Sequence, residues 1–290
     1  MAAPSSLFAS KLKALGTHLS LSALLVAGAF GLILLSWFPA PFYITDGAGD
    51  GLKLLVLVDM VLGPLLTFIV FNPMKTRRAL WFDLSLIAIF QLGAYGAGLV
   101  SIHGVRIQAV AFDQGGFQTV NAAVYKEQTV EPKAWAALGT HEPYIVDVRA
   151  PATPDESSGV MAFSFTGGLS PYQLQFLYRP FARHISAYHW AAYRSDELLA
   201  AEPSLGSAAK NWLNKHGTLA ARQLLFFPVQ GYSNSAVLVL NEKGEWLGGF
   251  AGKLKPKPNP KPDAAPDAKP APASASKAAS AQFPGGLNHQ

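Results

Sequence analysis

Residues 52–71 read LKLLVLVDMVLGPLLTFIVF, an apolar run with one acidic residue, Asp59, near its centre. A helix of about 20 apolar residues spans the roughly 30 Å hydrocarbon core of a bilayer. A charge at that depth costs about 2.5–3.5 kcal/mol on insertion scales, so intramembrane acids usually face a bundle interior and often mark a function. This stretch therefore predicts a membrane protein with a polar group inside its helix bundle.

Two further apolar segments, residues 18–38 and 79–102, flank this run. Short loops rich in Lys and Arg stay in the cytoplasm. Basic residues precede the first segment and fill the turn between the second and third, at Lys11, Lys13, Lys75, Arg77 and Arg78. We therefore expect three transmembrane helices, a cytoplasmic N-terminus and an exported C-terminal part.

The connector between the first two spans is aromatic, with Trp37, Phe38, Phe42 and Tyr43. Aromatic side chains are enriched where a helix leaves the bilayer, so these four predict an interfacial belt. The first span is longer than the apolar core of a signal peptide, which favours an uncleaved anchor.

Polar residues of the second and third spans are related by depth. Twelve residues separate Asp59 from Phe71, and twelve separate Ala79 from Gln91. At 1.5 Å per residue, Asp59 and Gln91 both lie roughly 18 Å from the cytoplasmic end and can hydrogen-bond if their faces meet. Asp83 is shallower, close enough to the interface to reach water. Each acid either pairs with a neighbouring helix or handles a partner, and the sequence leaves both roles open.

Pro64 follows Asp59 by five residues. Proline removes one intrahelical hydrogen bond and frees a carbonyl that another group must satisfy. We therefore expect the second helix to break at Gly63-Pro64.

Small residues recur at four-residue spacing on the outer two spans: Ala23, Ala27 and Gly31 on the first, Gly93 and Ala97 on the third. Such spacing lets helix backbones approach closely in lipid. Either these faces pack the three helices together, or one of them receives a helix from another protein.

Beyond residue 102 the pattern changes to that of a globular domain with a tail. We divide the chain into a cytoplasmic N-terminus (1–16), a three-helix transmembrane region (17–102), a periplasmic α+β domain (103–252) and a tail (253–290). The tail is rich in Pro, Ala and Lys, a composition that predicts disorder. Alternation and turn signals predict a mixed α+β domain with a mainly antiparallel sheet, its strands at 105–112, 117–124, 144–148, 224–229, 236–241 and 245–250 and its helices at 131–138, 195–201 and 205–216.

The sequence offers little sign of catalysis. His184 and His189 are five residues apart, which does not place them on one helical face as a metal pair requires. His141 and Asp147 come with no nucleophile elbow or phosphate loop. The chain has no cysteine, and its net charge of +5 is scattered. We therefore expect no enzyme activity, no cofactor, no metal site and no nucleic-acid partner.

Three stretches carry a family resemblance: Trp37-Phe38-Pro39-Ala40-Pro41, the block DMVLGPLL at residues 59–66, and the pair Asp83 and Gln91. Together they resemble the TfpX/TfpZ-type accessory proteins encoded beside type IV pilins. The resemblance is strongest over residues 15–100. It implies a chaperone-like inner-membrane protein that helps a cognate type IV pilin accumulate or assemble, with other pilus assembly proteins as further candidate partners.

Two residue types of the bundle suit that role. A small-residue face could dock the apolar helix of a pilin, and an Asp or Gln could satisfy its polar groups in lipid. The alternative is a membrane-anchored sensor or ligand-binding module whose exported domain recognises a small ligand. That alternative predicts a cytoplasmic output element, yet only the N-terminus and the 72–78 turn are expected inside.

Overall fold

Three long helices form the N-terminal part of the structure, a computed structural model that describes residues 4–126, 128, 132–216 and 224–259. The first runs over Pro4–Leu32 and continues as a π-helical turn, Ile33–Trp37. The second covers Ala48–Val70, and the third Arg77–Gly104. All three are long and apolar enough to cross a membrane, which confirms the prediction of three apolar helices.

The second helix does not break at Gly63-Pro64 as the sequence predicted. It comprises the α-helical segment Ala48–Val56, a π-helical segment Leu57–Leu62 and the α-helical segment Gly63–Val70. The wider π turn lies directly before the proline, and the helical assignment continues through Pro64 to Val70. Asp59 lies inside this π segment.

The three helices do not contact one another equally. The first helix packs along the second and buries one face, formed by Ser22, Val26, Ala29 and Ile33. The third helix has one buried residue among those described, Ile102. Across the gap between the first and third helices, the Tyr95 hydroxyl donates a hydrogen bond to the Leu25 carbonyl oxygen at 3.0 Å.

Two aromatic residues of the connector between the first two helices, Phe38 and Phe42, belong to the buried core, which corrects the prediction of an aromatic belt for these two. Phe38 and Phe42 are 1% and 0% exposed. The Phe42 ring packs against Trp246 with centroids 5.3 Å apart. The prediction failed for Phe38 and Phe42 because sequence position alone does not show that the connector, with its short helix Phe42–Thr45, folds back onto the sheet, whereas Tyr43 is exposed.

Asp46 ties the connector to the sheet. Its Oδ1 accepts hydrogen bonds from Thr119 Oγ1 at 2.7 Å and from the Tyr232 backbone N–H at 3.2 Å. The Thr45 carbonyl oxygen accepts from Ser233 N–H at 2.7 Å. Burial raises the pKa of Asp46 above its ordinary value, against the opposing effect of these hydrogen bonds. Hydrogen bonds of the connector thus join the first two helices to the C-terminal domain, in addition to the covalent chain.

One mixed sheet forms the centre of the C-terminal domain. Its strands in spatial order are β4 (Tyr178–Pro180), β3 (Tyr144–Val148), β1 (Ile107–Asp113), β2 (Gly116–Asn121), β5 (Leu224–Gln230), β6 (Ser235–Asn241) and β7 (Trp246–Ala251). Four of the six pairings between these described strands are antiparallel, while β1–β3 and β2–β5 are parallel. The predicted mixed sheet after three apolar helices is therefore confirmed.

Helices and turns cover both faces of the sheet. Phe181 and Ile185 pack on the side of the connector, and Leu198 and Trp212 pack on the other. The sequence analysis did not predict the helix Pro154–Gly167, which has no buried residue. The remaining α-helices are Pro132–Ala136, Ser195–Ala201 and Gly206–His216, and the 3-10 turns are Ala122–Tyr125, Pro171–Gln173, Gln175–Leu177, Phe181–Arg183, Ile185–Ala191 and Pro203–Leu205.

The start of the predicted tail packs against the domain, contrary to expectation. Leu254 is 4% exposed within the core cluster of Leu198 and Trp212. Lys257 Nζ donates to Glu197 Oε2 at 2.7 Å and to the Ala192 carbonyl oxygen at 2.6 Å. A Pro/Lys composition hides such contacts because a single leucine supplies the anchor. Residues 260–290 of the predicted disordered tail lie outside the described residues.

Candidate partner-binding cleft in the helix bundle

A cavity of about 620 Å³ separates the first helix from the third, with the second helix as its floor. Its lining residues recur every three or four positions on both walls, which is the spacing of one helical face. They are Ser10, Lys13, Ala14, Thr17, His18, Leu21, Ser22 and Leu25 on the first helix, Asp59, Thr67 and Phe71 on the second, Pro73 in the turn, and Leu84, Ala88, Gln91, Leu92 and Tyr95 on the third. We call this cavity the cleft.

Asp59 is the most unusual residue of the cleft. Its side chain is 3% exposed, and Oδ2 has no hydrogen-bond partner among the described residues. A buried carboxylate without a partner is destabilising, so such a group in a native structure needs an explanation. His18 lines the same cleft, but its Nδ1 contacts Thr67 Oγ1 at 2.5 Å.

Gln91 lines the cleft as well, but the structure shows no hydrogen bond between it and Asp59. Its carboxamide instead rests on Gly63, where an added Cβ would stand 1.8 Å from Nε2. The two residues share the cleft without forming the pair that the depth calculation allowed. Only the absence of a side chain at Gly63 lets the third helix approach this closely.

Asp83 and Pro64, two other residues singled out from the sequence, lie outside the cleft lining. Asp83 Oδ2 accepts a hydrogen bond from Lys75 Nζ at 2.6 Å, and both side chains are partly exposed. This ion pair sits where the turn enters the third helix, so its role is local. Pro64 is buried beside Gly63 in the second helix.

The small residues lie on the outer surface of the bundle. At 100° per residue, Ala23, Ala27 and Gly31 are on the side of the first helix that faces away from the cleft. Ala27 is exposed, and an added Cβ at Gly31 would meet nothing within 4 Å. The pair Gly93 and Ala97 is likewise exposed and faces away. These residues therefore do not make the helix contacts of the bundle, and the sequence-predicted site divides into an inner polar cleft and two outer small-residue faces.

A second polar cluster, which sequence reasoning missed, lies in the C-terminal domain. Asp147 is 0% exposed; its Oδ2 accepts hydrogen bonds from Arg179 Nε at 3.1 Å and from the Tyr188 hydroxyl at 3.0 Å. His184 Nδ1 lies 3.2 Å from Oδ1. Burial, followed by the Asp147 charge, raises the pKa of Tyr188 to about 12. The sequence signal was an acid at an inward position of a short strand, but its partners lie more than 30 residues away.

The cleft offers apolar walls with one unpaired acid. Leu21, Leu25 and Leu92 form exposed lips, at 60%, 42% and 58% exposure. Lys13 lines the end nearest the turn at Pro73. Such a groove suits apolar side chains that enter from the lipid, with a polar complement at the level of Asp59.

Comparison with known proteins gives three relatives, all from Dichelobacter nodosus, each aligned over 107 residues that make up 37% of this chain. The fimbrial assembly proteins of serogroup I and serogroup E1 are 38% and 37% identical, and the alignment covers 41% of each. The fimbrial assembly protein of serogroups C1 and C2 is 38% identical, with 80% of its length covered. No family model matches the chain, and no solved structure matches it. On the coverage and identity of the third relative, the chain belongs to the family of fimbrial assembly proteins.

Proposed function

We propose that this protein is a TfpX/TfpZ-type accessory factor, chaperone-like and not enzymatic, that helps a cognate type IV pilin accumulate or assemble. The observation that carries the proposal is the cleft, a lipid-facing groove with apolar walls and an unpaired buried acid. Membership of the fimbrial assembly family supports the same role.

The mechanism follows from holding a subunit at two places. The bundle receives the apolar helix of the pilin while it waits in the membrane, and the C-terminal domain faces the pilin's soluble part. Because both surfaces belong to one anchored chain, the second contact forms at high effective concentration. The connection through Asp46 and Phe42 holds the two surfaces in a defined relation.

The proposed location is the inner membrane, with the N-terminus in the cytoplasm and the C-terminal domain in the periplasm. Lys11, Lys13 and the turn at residues 72–78 then lie inside, as short basic loops do. A reporter that is active only outside the cytoplasm should be active when fused after residue 110 and silent when fused at residue 75. The opposite pattern would reverse the orientation.

The decisive test replaces Asp59 with leucine. Asp59→Leu removes an unpaired buried carboxylate, so the protein should insert and accumulate at least as well as the parent. If the cleft serves pilin, surface pili should fall by about tenfold or more. Asp50→Leu is the matched control, since Asp50 lies on the same helix but its side chain is 85% exposed. Equal numbers of pili in parent, Asp59→Leu and Asp50→Leu cells would remove the cleft from the mechanism.

A further inference from the structure

We propose that the cleft recognises a membrane-spanning helix through a cationic group carried near the middle of that helix, with Asp59 as its counter-ion. This inference rests on the proposed function for its biological setting, but its evidence and its test concern the charge chemistry of the cleft alone. The occupant is a transmembrane helix that bears an ammonium group.

The depth of Asp59 and the lack of a hydrogen-bond partner for its Oδ2 in the described part of the chain are the main evidence. The residue is the central one of the 23-residue helix Ala48–Val70, so it lies at the depth where an unpaired charge is least favourable. Oδ2 is buried, lines the cleft and has no hydrogen-bond partner among the described residues. Intramembrane ionisable residues pair with one another or with backbone groups, and the cleft is the space from which a partner's charged group can reach Oδ2.

The chain itself supplies several basic side chains near the cleft. His18 and Lys13 also line the cleft. His18 Nδ1 already contacts Thr67 Oγ1, and Lys13 belongs to the end of the cleft near Pro73. Lys11 and Lys75 point to backbone carbonyl oxygens of Ile69 and Val70 at 3.4 and 3.3 Å. His18 is close enough to Asp59 to interact with its charge, but none of these described side chains hydrogen-bonds Oδ2, so that bond is left to a partner.

The volume and walls of the cleft limit the shape of its occupant. The cleft volume is within the roughly 300–1,000 Å³ of small-molecule sites, which accommodates a row of side chains and not a whole helix. Its walls are two helical faces, and its lips are exposed leucines in the membrane-spanning segments. A helix lying along the lips can insert one row of apolar side chains, and an ammonium among them reaches Asp59. Lipid tails provide apolar groups but no cation at mid-depth.

The test uses three peptides and the full-length protein in nanodiscs. Each peptide is a 23-residue Leu/Ala helix with neutral ends that carries lysine, norleucine or glutamate at position 12, the depth of Asp59. Norleucine keeps the four-carbon side chain of lysine and lacks its terminal ammonium. Binding is read by energy transfer from a dye on the peptide to a dye on a single cysteine introduced as Tyr232→Cys, since the chain has no other cysteine and Tyr232 is 90% exposed.

The lysine peptide should bind the parent about tenfold more tightly than the norleucine peptide, equivalent to about 1.4 kcal/mol, and the glutamate peptide least tightly. Asp59→Asn should make the lysine and norleucine peptides equal, Asp59→Glu should keep the preference, and Asp50→Asn should not change it. Melting temperatures of the variants establish that each one is folded. Equal binding of lysine and norleucine to the folded parent overturns the inference.

Further outcomes distinguish pairing with a helix from binding of a lipid amine, and charge pairing from the proposed function. If added phosphatidylethanolamine abolishes the lysine preference, a lipid amine occupies the cleft and the helix inference is wrong. If the preference is absent while Asp59→Leu still lowers the number of pili, the proposed function stands and only the charge pairing fails. If the preference is present and pili are unaffected, the pairing stands and the proposed function fails.

Discussion

Gln91 lies directly against Gly63, so that a side chain of any kind at residue 63 would collide with the Gln91 carboxamide. This contact joins the third helix to the second at the level of the cleft. The third helix has little other burial, so the contact has more influence on its position than a single pair would have in a globular core. The shape of the cleft therefore depends on a glycine next to a proline.

We predict that Gly63→Ala destabilises the bundle by about 1–3 kcal/mol, the usual effect of adding a methyl group to a close-packed contact. Helix propensity alone favours alanine over glycine, so destabilisation would show that the Gln91 contact dominates. Unfolding in a denaturing detergent, followed by circular dichroism, measures the difference.

Gly28→Ala is the control, because an added Cβ there meets nothing within 4 Å. It should be neutral or slightly stabilising. The double variant Gly63→Ala with Gln91→Ala should recover most of the lost stability, because the shorter side chain leaves room for the new methyl group. Additive losses in the double variant would refute the role assigned to this contact.

Asp147 provides a prediction for the C-terminal domain. Removing one partner of a buried ion pair costs roughly 3–5 kcal/mol, but Arg179 is 38% exposed and can turn to solvent. We therefore expect Asp147→Ala to destabilise the protein by about 1–3 kcal/mol, measured by thermal unfolding in detergent with tyrosine and tryptophan circular dichroism. Asp155→Ala, at an exposed helix start, should cost less than about 1 kcal/mol. Equal effects of the two substitutions would contradict a structural role for the Asp147 cluster.

The local sequence was sufficient to predict those elements whose periodicity is strong. The three apolar helices, strand β3 and the helix Ser195–Ala201 coincide with runs that could be identified by eye. The helix Pro154–Gly167 was missed although Thr153 caps it and Gly168 ends it in a left-handed conformation. Its apolar residues form no stripe and none is buried, so the period on which prediction depends is absent.

The site was predictable only in part, for reasons of tertiary geometry. Asp59 and Gln91 were identifiable as polar residues at one depth, and both line the cleft. Instead, the Gln91 carboxamide lies against Gly63, a contact that residue spacing alone does not predict. Phe38 and Phe42 illustrate the same limit, because their burial depends on strands more than 180 residues away.

The tail yields a prediction at two truncation points. Ending the chain after Gly252 removes the buried Leu254 and the Lys257 contacts with Glu197, so it should destabilise the domain by roughly 1.5–3 kcal/mol. Ending it after Asn259 removes residues whose Pro, Ala and Lys composition predicts no packing, so stability should stay within about 0.5 kcal/mol of the parent. Thermal unfolding of the two truncated proteins decides the point. Equal stability of both would mean that Leu254 contributes nothing.

The last prediction concerns which surface of the bundle meets pilin. The cleft and the small-residue faces lie on opposite sides of the first and third helices, so one docked helix cannot occupy both. Photo-crosslinking residues at Leu21 and Leu92 report on the cleft, and those at Ala27 and Gly93 report on the outer faces. Leu54, 62% exposed on the second helix and outside the cleft lining, is the lipid-facing control.

We expect pilin adducts in native membranes at Leu21 and Leu92, because a docked helix there meets the unpaired acid. Ala27→Leu should leave abundance unchanged, since Ala27 is exposed and packs no helix of the bundle. If adducts instead form at Ala27 and Gly93, and Ala27→Leu weakens them, the small-residue faces are the interface and the cleft has another purpose. Adducts at neither surface, with normal pilus assembly, would place the pilin contact on the C-terminal domain, where the exposed Met161 and Phe165 of the helix Pro154–Gly167 are the next positions to probe.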